Sequence, residues 1–296
     1  MAERTAKNLF EYALFLVFVF AARLLPRGAA LALGGHIGRV CQFLIPKKRK
    51  LAYDNIHRAF PEMSASEVKV IVSETFRNLG ISGMEMLTLN RFESEQDLQK
   101  NFDITGLEHL REAYDLNRGV FLLTGHIGFW EVGTFLLPKV GFPADFVAKK
   151  MKNPYVDKYF QRMREAGGGR CLDSKKGARR IIRSLGEKRG VAILLDQHIS
   201  RNEAVVVDFF GRKACTTPVI AQIAMKNGIP VVPLFSYRTR DYRHNIVIEP
   251  MVLFPDESGE EAVVRNTALL TAKIEEAVRR DPAQWFWVHR RWRDLG

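Results

Sequence analysis

The segment RGVFLLTGHIGFWE, residues 118–131, sets a histidine and a glutamate where an apolar run gives way to an amphipathic one. VFLLTG reads as a buried strand, short and uninterrupted, closed by Gly125. His126 then falls on the loop at the strand's carboxyl end, the edge where open α/β sheets bind ligands. The next helix is expected from about 129, so Glu131 lies in its first turn. A carboxylate there can turn back toward His126, hold one tautomer and stabilise the imidazolium formed when the ring takes a proton. No GxSxG segment occurs, and no Ser or Cys is adjacent to the pair. A base with an orienter but no protein nucleophile suits direct activation of a substrate hydroxyl. An ordinary loop histidine beside an acid favoured by the helix dipole fits the same spacing.

Other segments carry polar groups to comparable places. LLDQHIS puts Asp196, Gln197 and His198 at the end of a second strand, expected on the same sheet edge. VDFFGRKACTTP brings Thr216 and Thr217, after a turn, to the start of a helix. His126, Glu131, Asp196 and His198 also make a conceivable ligand set for a metal hydrolase, although no further ligand cluster accompanies them.

These residues need a frame. From Arg118 onward, VFLLTG, ADFVAK, GVAILLD, AVVVDFF and IPVVPLFSYRT alternate with helical stretches at 129–138, 154–166, 176–188, 217–227 and 260–280. NIVIEP reads as a hairpin partner of the last strand, with the turn near 240–242. That alternation predicts an α/β fold, a mixed sheet flanked by helices. Residues 51–115 read as helical; SASEVKVIVSETFRNLGISGMEML opens on a cap-like Ser64 or Ser66.

The 296 residues suffice for one large domain or two modest ones, and 47% of them are hydrophobic. A formal net charge of +12 points to an anionic partner: nucleic acid, an anionic membrane surface, phosphorylated substrates or an acidic protein. Cys41, Cys171 and Cys215 form no CxxC and no zinc spacing, which fits a reducing compartment. NLFEYALFLVFVFAARLLP holds only Glu11 and Arg23 as charges, and residues 8–25 approach the ~20 that a bilayer needs. A cleaved signal peptide and a buried soluble helix compete with that reading, but Gly28 to Ala30 make a poor cleavage site. An N-terminal helix that spans or dips into the membrane is the expectation, acting as an anchor without a part in catalysis. Lys47, Lys48, Arg49 and Lys50 follow a second apolar stretch, 29–45, and place the main body on the cytoplasmic side. The simplest division is 1–50 as membrane anchor and basic cluster, then 51–296 as one catalytic domain, with a helical lead-in at 51–115 and an α/β core at 116–296.

Taken in order, NIHRAFPE, TGHIGFWE, NPYVDKYFQRMREAGG, LLDQH, VDFFGRKACTTP, IPVVPLF and the tail WFWVHRRWR span nearly the whole chain. This set resembles the late acyltransferases of lipid A biosynthesis, the lauroyl and myristoyl transferases of the bacterial inner membrane. The broader group is the glycerolipid acyltransferases with a His-x4-Asp/Glu motif. The resemblance implies a glycerolipid-acyltransferase-like fold, His126 as general base and Glu131 as its partner. Arg164 and Asp196 are expected to shape the site, with Gln197 and Thr216 as further substrate-binding candidates. Two departures stand out: His198 where many relatives carry a second acid, and Pro218 where relatives often have glycine.

The chemistry implied is transfer from an acyl-acyl carrier protein thioester to a hydroxyl of a lipid A precursor, with no metal or other cofactor. Backbone N–H groups near Gly128 or Arg164 are candidate oxyanion donors. Basic residues of the middle third, among them Lys149, Lys150, Lys152, Lys175, Lys176, Arg179, Arg180 and Arg183, would steer the acidic carrier protein and the lipid phosphates. Arg290, Arg291 and Arg293 interleave with Trp285, Trp287 and Trp292, a pattern suited to a membrane interface as well as to a packed tail. A lysophospholipid or other glycolipid as acceptor, and acyl-CoA as donor, remain alternatives. No recognised nucleic-acid-binding motif is present, and the apolar N-terminus argues against that partner.

Overall fold

The computed structural model describes residues 2–92, 94–173 and 177–293. Lys175 and Lys176 lie outside the described residues. The N-terminal helix α1 (Ala2–Leu24) contains neither Pro nor Gly and stops two residues before Pro26. Its segment Thr5–Leu24 has a mean hydropathy of 1.4 and is long and apolar enough to cross a membrane. Only 11% of it is buried. Helix α2 (Arg27–Leu44) follows, and α3 (Pro46–Ala59) leaves it at 96°, with Pro46 in the first turn of α3. Helix α4 (Ala65–Leu87) begins in a capping box: Ser64 accepts from the Glu67 N–H, and the Glu67 side chain accepts from the Ser64 N–H. Helices α2 and α4 touch backbone to backbone, since a Cβ built on Gly80 would lie 2.1 Å from Gly34 O.

The lead-in then departs from an all-helical reading. After α5 (Glu95–Asn101) comes a strand, β1 (Phe102–Thr105), and only then α6 (Leu107–Asp115). FDIT is four residues long and pairs at the sheet's edge, too short to carry a periodic signal of its own. The α/β portion runs β2 (Val120–Thr124), α7 (Val132–Lys139), β3 (Ala144–Ala148), α8 (Pro154–Glu165), β4 (Cys171–Asp173), α9 (Gly177–Gly186) and β5 (Gly190–Leu194). It continues through β6 (Val205–Phe209), β7 (Arg212–Thr216), α10 (Val219–Asn227), β8 (Val231–Arg238), β9 (His244–Ile248) and α11 (Glu260–Arg280).

Seven strands form one mixed sheet in the order β1-β9-β8-β2-β5-β3-β4; every neighbouring pair is parallel except β8 with β9. β6 and β7 make a separate antiparallel ribbon. Its two-residue turn, Phe210 at φ 54° and Gly211 at φ 66°, has the positive dihedrals that match the twist of a tight hairpin. The strained Phe210 is held by packing, with its ring 5.3 Å from Phe60 and 5.9 Å from Trp287.

Central β2 is buried along its whole length, which explains its unbroken apolar sequence. One face of the sheet packs with α3, α4, α11 and the C-terminal tail, the other with α6 and α7. In that tail Trp285, Trp287 and Trp292 are all buried, and Arg291 is fully enclosed. The three tryptophans and Arg291 are therefore core packing and not a membrane interface, while Arg290 and Arg293 stay exposed. Asn55, from NIHRAFPE, donates to Trp287 O at 2.8 Å and His289 O at 2.9 Å and so staples the tail in place.

Candidate active site

The parallel register of β2 and β5 builds the centre of the site. Thr124 is paired with Leu194, so the residues two positions further on, His126 and Asp196, come level at the carboxyl edge. His126 Nδ1 lies 2.8 Å from Asp196 Oδ1. The His126 N–H and the Trp285 indole N–H donate to Asp196 Oδ2 at 2.9 and 2.7 Å. Burial acts to raise the Asp196 carboxyl pKa, but the charge and hydrogen bonds of His126, helped by Trp285, hold it at about 2. An ionised Asp196 only accepts, so it fixes the proton on Nδ1 and leaves Nε2 of His126 as the basic atom.

Nε2 faces Gln197, whose amide nitrogen is 3.1 Å away. Among the described residues no serine or cysteine meets that nitrogen. Trp130 and Phe286 flank the imidazole, with ring centroids 5.0 and 5.8 Å from it. The His126 loop is clamped by the tail: the Phe286 N–H donates to His126 O, and the Gly128 N–H donates to Gln284 O at 2.9 Å. Gly128 sits at φ +57°, and a Cβ there would lie 2.2 Å from Ser236 O. Its N–H is committed to Gln284, so it is not free to serve as an oxyanion donor.

Glu131 is placed differently from the sequence expectation. It stands at the N-cap of α7, three residues later than a helix start at 129 would put it. Its carboxylate is gripped by Arg164 of α8, with Nε 2.6 Å and Nη2 2.5 Å from its two oxygens. Glu131 therefore orients an arginine, and Asp196 does the orienting of His126. Arg164 lies in the last turn of α8, where the helix dipole favours a cation, and its side chain is 11% exposed.

Thr216 is another correction. It is completely buried, and Arg291 donates to its hydroxyl at 2.5 Å, so its side chain has no open path to substrate. Arg291 Nη1 also donates to Cys215 O at 2.6 Å, and burial, opposed by Asp196, brings Arg291 down to about 10. His289 is pushed down to about 4, mainly by burial, and is neutral at pH 7. Among the described residues no group of three or more His, Cys, Asp or Glu side chains is arranged to hold a metal. The four-ligand set of the metal-hydrolase reading does not converge, since Glu131 belongs to Arg164.

The sequence pattern pointed to His126, Glu131, Asp196 and Gln197, and the resemblance added Arg164; the structure brings His126, Asp196 and Gln197 together and pairs Glu131 with Arg164. Trp285, Gln284 and Asn55 were not singled out. Trp285 was signalled only by its place in an aromatic tail, and Asn55 only by its motif.

An imidazole held by a buried carboxylate at a sheet edge, with its basic nitrogen on a side-chain amide, has the make-up of an enzyme working on a hydroxyl of its substrate. The family model described as bacterial lipid A biosynthesis acyltransferase matches residues 3–294. The chain belongs to that family and is an acyltransferase. It is 25% identical to the lipid A biosynthesis palmitoleoyltransferase of Escherichia coli K12, over 91% of this chain and 86% of that one. It is 23% identical to the lipid A biosynthesis lauroyltransferase of the same organism, over 91% and 87% of the two chains. Among solved structures, a 1-acyl-sn-glycerophosphate acyltransferase from Thermotoga maritima aligns at TM-score 0.40 and 15% identity, covering 88% of this chain and 99% of that one.

Proposed function

We propose that the protein transfers a fatty acyl chain from an acyl-acyl carrier protein thioester to a hydroxyl of a lipid A precursor at the bacterial inner membrane. The observation that carries this reading is the His126–Asp196 contact of 2.8 Å, set on the edge of the sheet, with no nucleophilic side chain among the described residues on Nε2. The acceptor hydroxyl displaces the Gln197 amide and hydrogen-bonds to His126 Nε2. As its oxygen attacks the thioester carbonyl, the proton passes to Nε2, and Asp196 stabilises the imidazolium. The carbonyl oxygen becomes an oxyanion. Glu131 occupies Nε and Nη2 of Arg164, and Nη1 of that guanidinium is the donor proposed for it. Collapse re-forms the carbonyl as an ester and breaks the carbon–sulfur bond, and the imidazolium gives its proton to the departing thiolate, which leaves as the carrier thiol. His126 and Arg164 are thus the catalytic residues; Asp196 and Glu131 act through them.

Exposed apolar side chains support membrane attachment. Phe10, Val17, Phe20 and Leu24 of α1, and Val40, Phe43 and Leu44 of α2, are each more than half exposed. The basic residues Lys47 to Lys50 follow directly, exposed at the start of α3, and support a cytoplasmic placement of the catalytic portion.

Lipid mass spectrometry on cells carrying wild type or His126→Ala tests the reading. One acyl chain should disappear from lipid A in the variant, and transfer by purified enzyme should fall by about 10²–10⁴-fold. Near-wild-type turnover by His126→Ala with saturating acyl-carrier protein would refute it.

A further inference from the structure

A polar cavity lies away from the His126 loop, between the N-terminal helices and the β8–β9 turn. It has a volume of about 600 Å³ and draws cations from four elements: Arg27 in the first turn of α2, Arg91 in a 3-10 turn, Lys100 at the end of α5, and Arg243 after β8. Two carboxylates, Asp97 and Asp241, share its wall, and both are already engaged. Asp97 closes the capping box with Ser94, whose hydroxyl is 2.6 Å from it, and Asp241 accepts from the Thr239 hydroxyl at 2.5 Å.

The surrounding acids leave the cations partly unanswered. Asp103 takes Nη2 of Arg243 at 2.6 Å, but Arg243 Nε is buried with no hydrogen-bond partner. Glu85 is 3.7 Å from Arg27 while it also holds Arg238 and His244. Arg91 donates to two carbonyls, Arg23 O and Leu25 O, both at 2.7 Å. Among the described residues no carboxylate makes a hydrogen bond or close ion pair with Arg91 or Lys100, although, after the Ser94 hydrogen bonds, the charge of Lys100 helps hold the Asp97 carboxyl pKa down. Converging guanidinium and ammonium groups around an open volume, with a donor lacking an acceptor, match a tetrahedral oxyanion.

Position narrows the choice of anion. The cavity opens at the α1–α2 junction, where the apolar run of α1 ends at Leu24. With α1 in a bilayer, that junction stands at the level of lipid headgroups. The cavity is also tied to the acyl-transfer site. Glu85 joins Arg27 to Arg238, the Arg238 backbone exchanges two hydrogen bonds with the Gln284 side chain (2.8 and 2.9 Å), and Gln284 O receives the Gly128 N–H.

We propose that this cavity binds a phosphate monoester on the head of a membrane lipid. On the acceptor reading given above, on which this last assignment rests, it is a phosphate of the acceptor's sugar head. Held there, the phosphate positions the lipid relative to His126 through a continuous hydrogen-bonded frame.

The test uses full-length enzyme with Lys100→Ala and Arg243→Gln, neither residue being part of the transfer machinery. In neutral detergent, KM for a phosphorylated acceptor should rise on the order of tenfold in each variant, the size of one charge-assisted hydrogen bond, while kcat holds. KM for the same acceptor stripped of phosphate should not change. Equal effects on both acceptors, or none on either, would overturn the proposal. A binding arm needs no transfer: phosphatidylcholine nanodiscs doped with phosphatidic acid should retain wild type better than either variant. If transfer to lipid A precursors fails while this preference persists, the acceptor reading falls and the cavity assignment stands. If the variants bind the doped discs as wild type does, the assignment fails whatever the transfer result. Displacement from the discs by micromolar inorganic phosphate would identify the ligand as free phosphate and likewise overturn it.

Discussion

Asp196 accepts three hydrogen bonds while wholly buried, and this makes it the most consequential acid near His126. Asp196→Asn should free the ring to take the wrong tautomer and cost transfer on the order of 10²–10⁴-fold, with the fold retained, as read from single-turnover rates. The same residue should mark the acid limb of stability. Its folded pKa of about 2 lies below the unfolded value of ~3.9, so between those values the unfolded chain binds the extra proton. Its contribution is complete above about pH 5 and is lost as pH falls through 4 toward 2. Unfolding midpoints in urea should therefore show wild type and Asp196→Asn converging as pH drops from 6 to 3; a constant gap would rule out the linkage. In the sequence, the partner of His126 was sought five residues away, at Glu131. It comes from seventy residues away, because neighbours in a parallel sheet are set by register rather than chain distance. A trace of this was legible: LLTGH and ILLDQ carry an ionisable residue at the same offset from the end of equally apolar strands.

At the scale of elements, the long periodic helices and the buried strands were legible, and the short edge pieces were not. Glu260–Arg280 and Pro154–Glu165 fall where the sequence reading put helices, at 260–280 and 154–166, since each buries one face. β1, β4 and β7 were missed; they have three to five residues, and RKACT of β7 opens on two cations. The α2–α4 contact was equally hidden, because a glycine marks a close approach only once its neighbour is known. Gly80→Ala would drive a methyl against Gly34 O and should cost about 1–3 kcal/mol, seen as a lower Tm in detergent. Gly83, on the same helix, has nothing within 4 Å of a built Cβ, so Gly83→Ala should be neutral or raise Tm, through ~0.5–1 kcal/mol of helix propensity. Equal losses from both substitutions would mean that helix α4 responds to its glycines in some way other than this contact.

At the scale of the whole molecule, α1 is more than an exposed apolar helix. One side of it exposes large apolar residues, and the other packs on α8, the helix that carries Arg164. Phe15 meets Tyr159 and Phe160 at centroid distances of 5.1 and 5.5 Å, Tyr12 stacks on Tyr155, and Arg23 donates to the Tyr159 hydroxyl at 2.9 Å. Asn153, which caps α8, reaches back to Asn8 O at 2.9 Å. If Arg164 acts as proposed above, these contacts argue against a catalytically silent N-terminus, because α1 packs on the helix that carries Arg164. Displacing a catalytic group by about 1 Å can cost 10²-fold, so deletion of residues 1–24 should lower kcat by up to about that factor on short, detergent-dispersed acceptors. It should not free the protein from membranes completely, because α2 keeps its own exposed face of Leu33, Ile37, Val40 and Phe43. Sedimentation of the truncated chain with vesicles, alongside its kcat, checks both halves. Full activity would return α1 to the role of a tether, and complete release into the supernatant would make it the one attachment that matters.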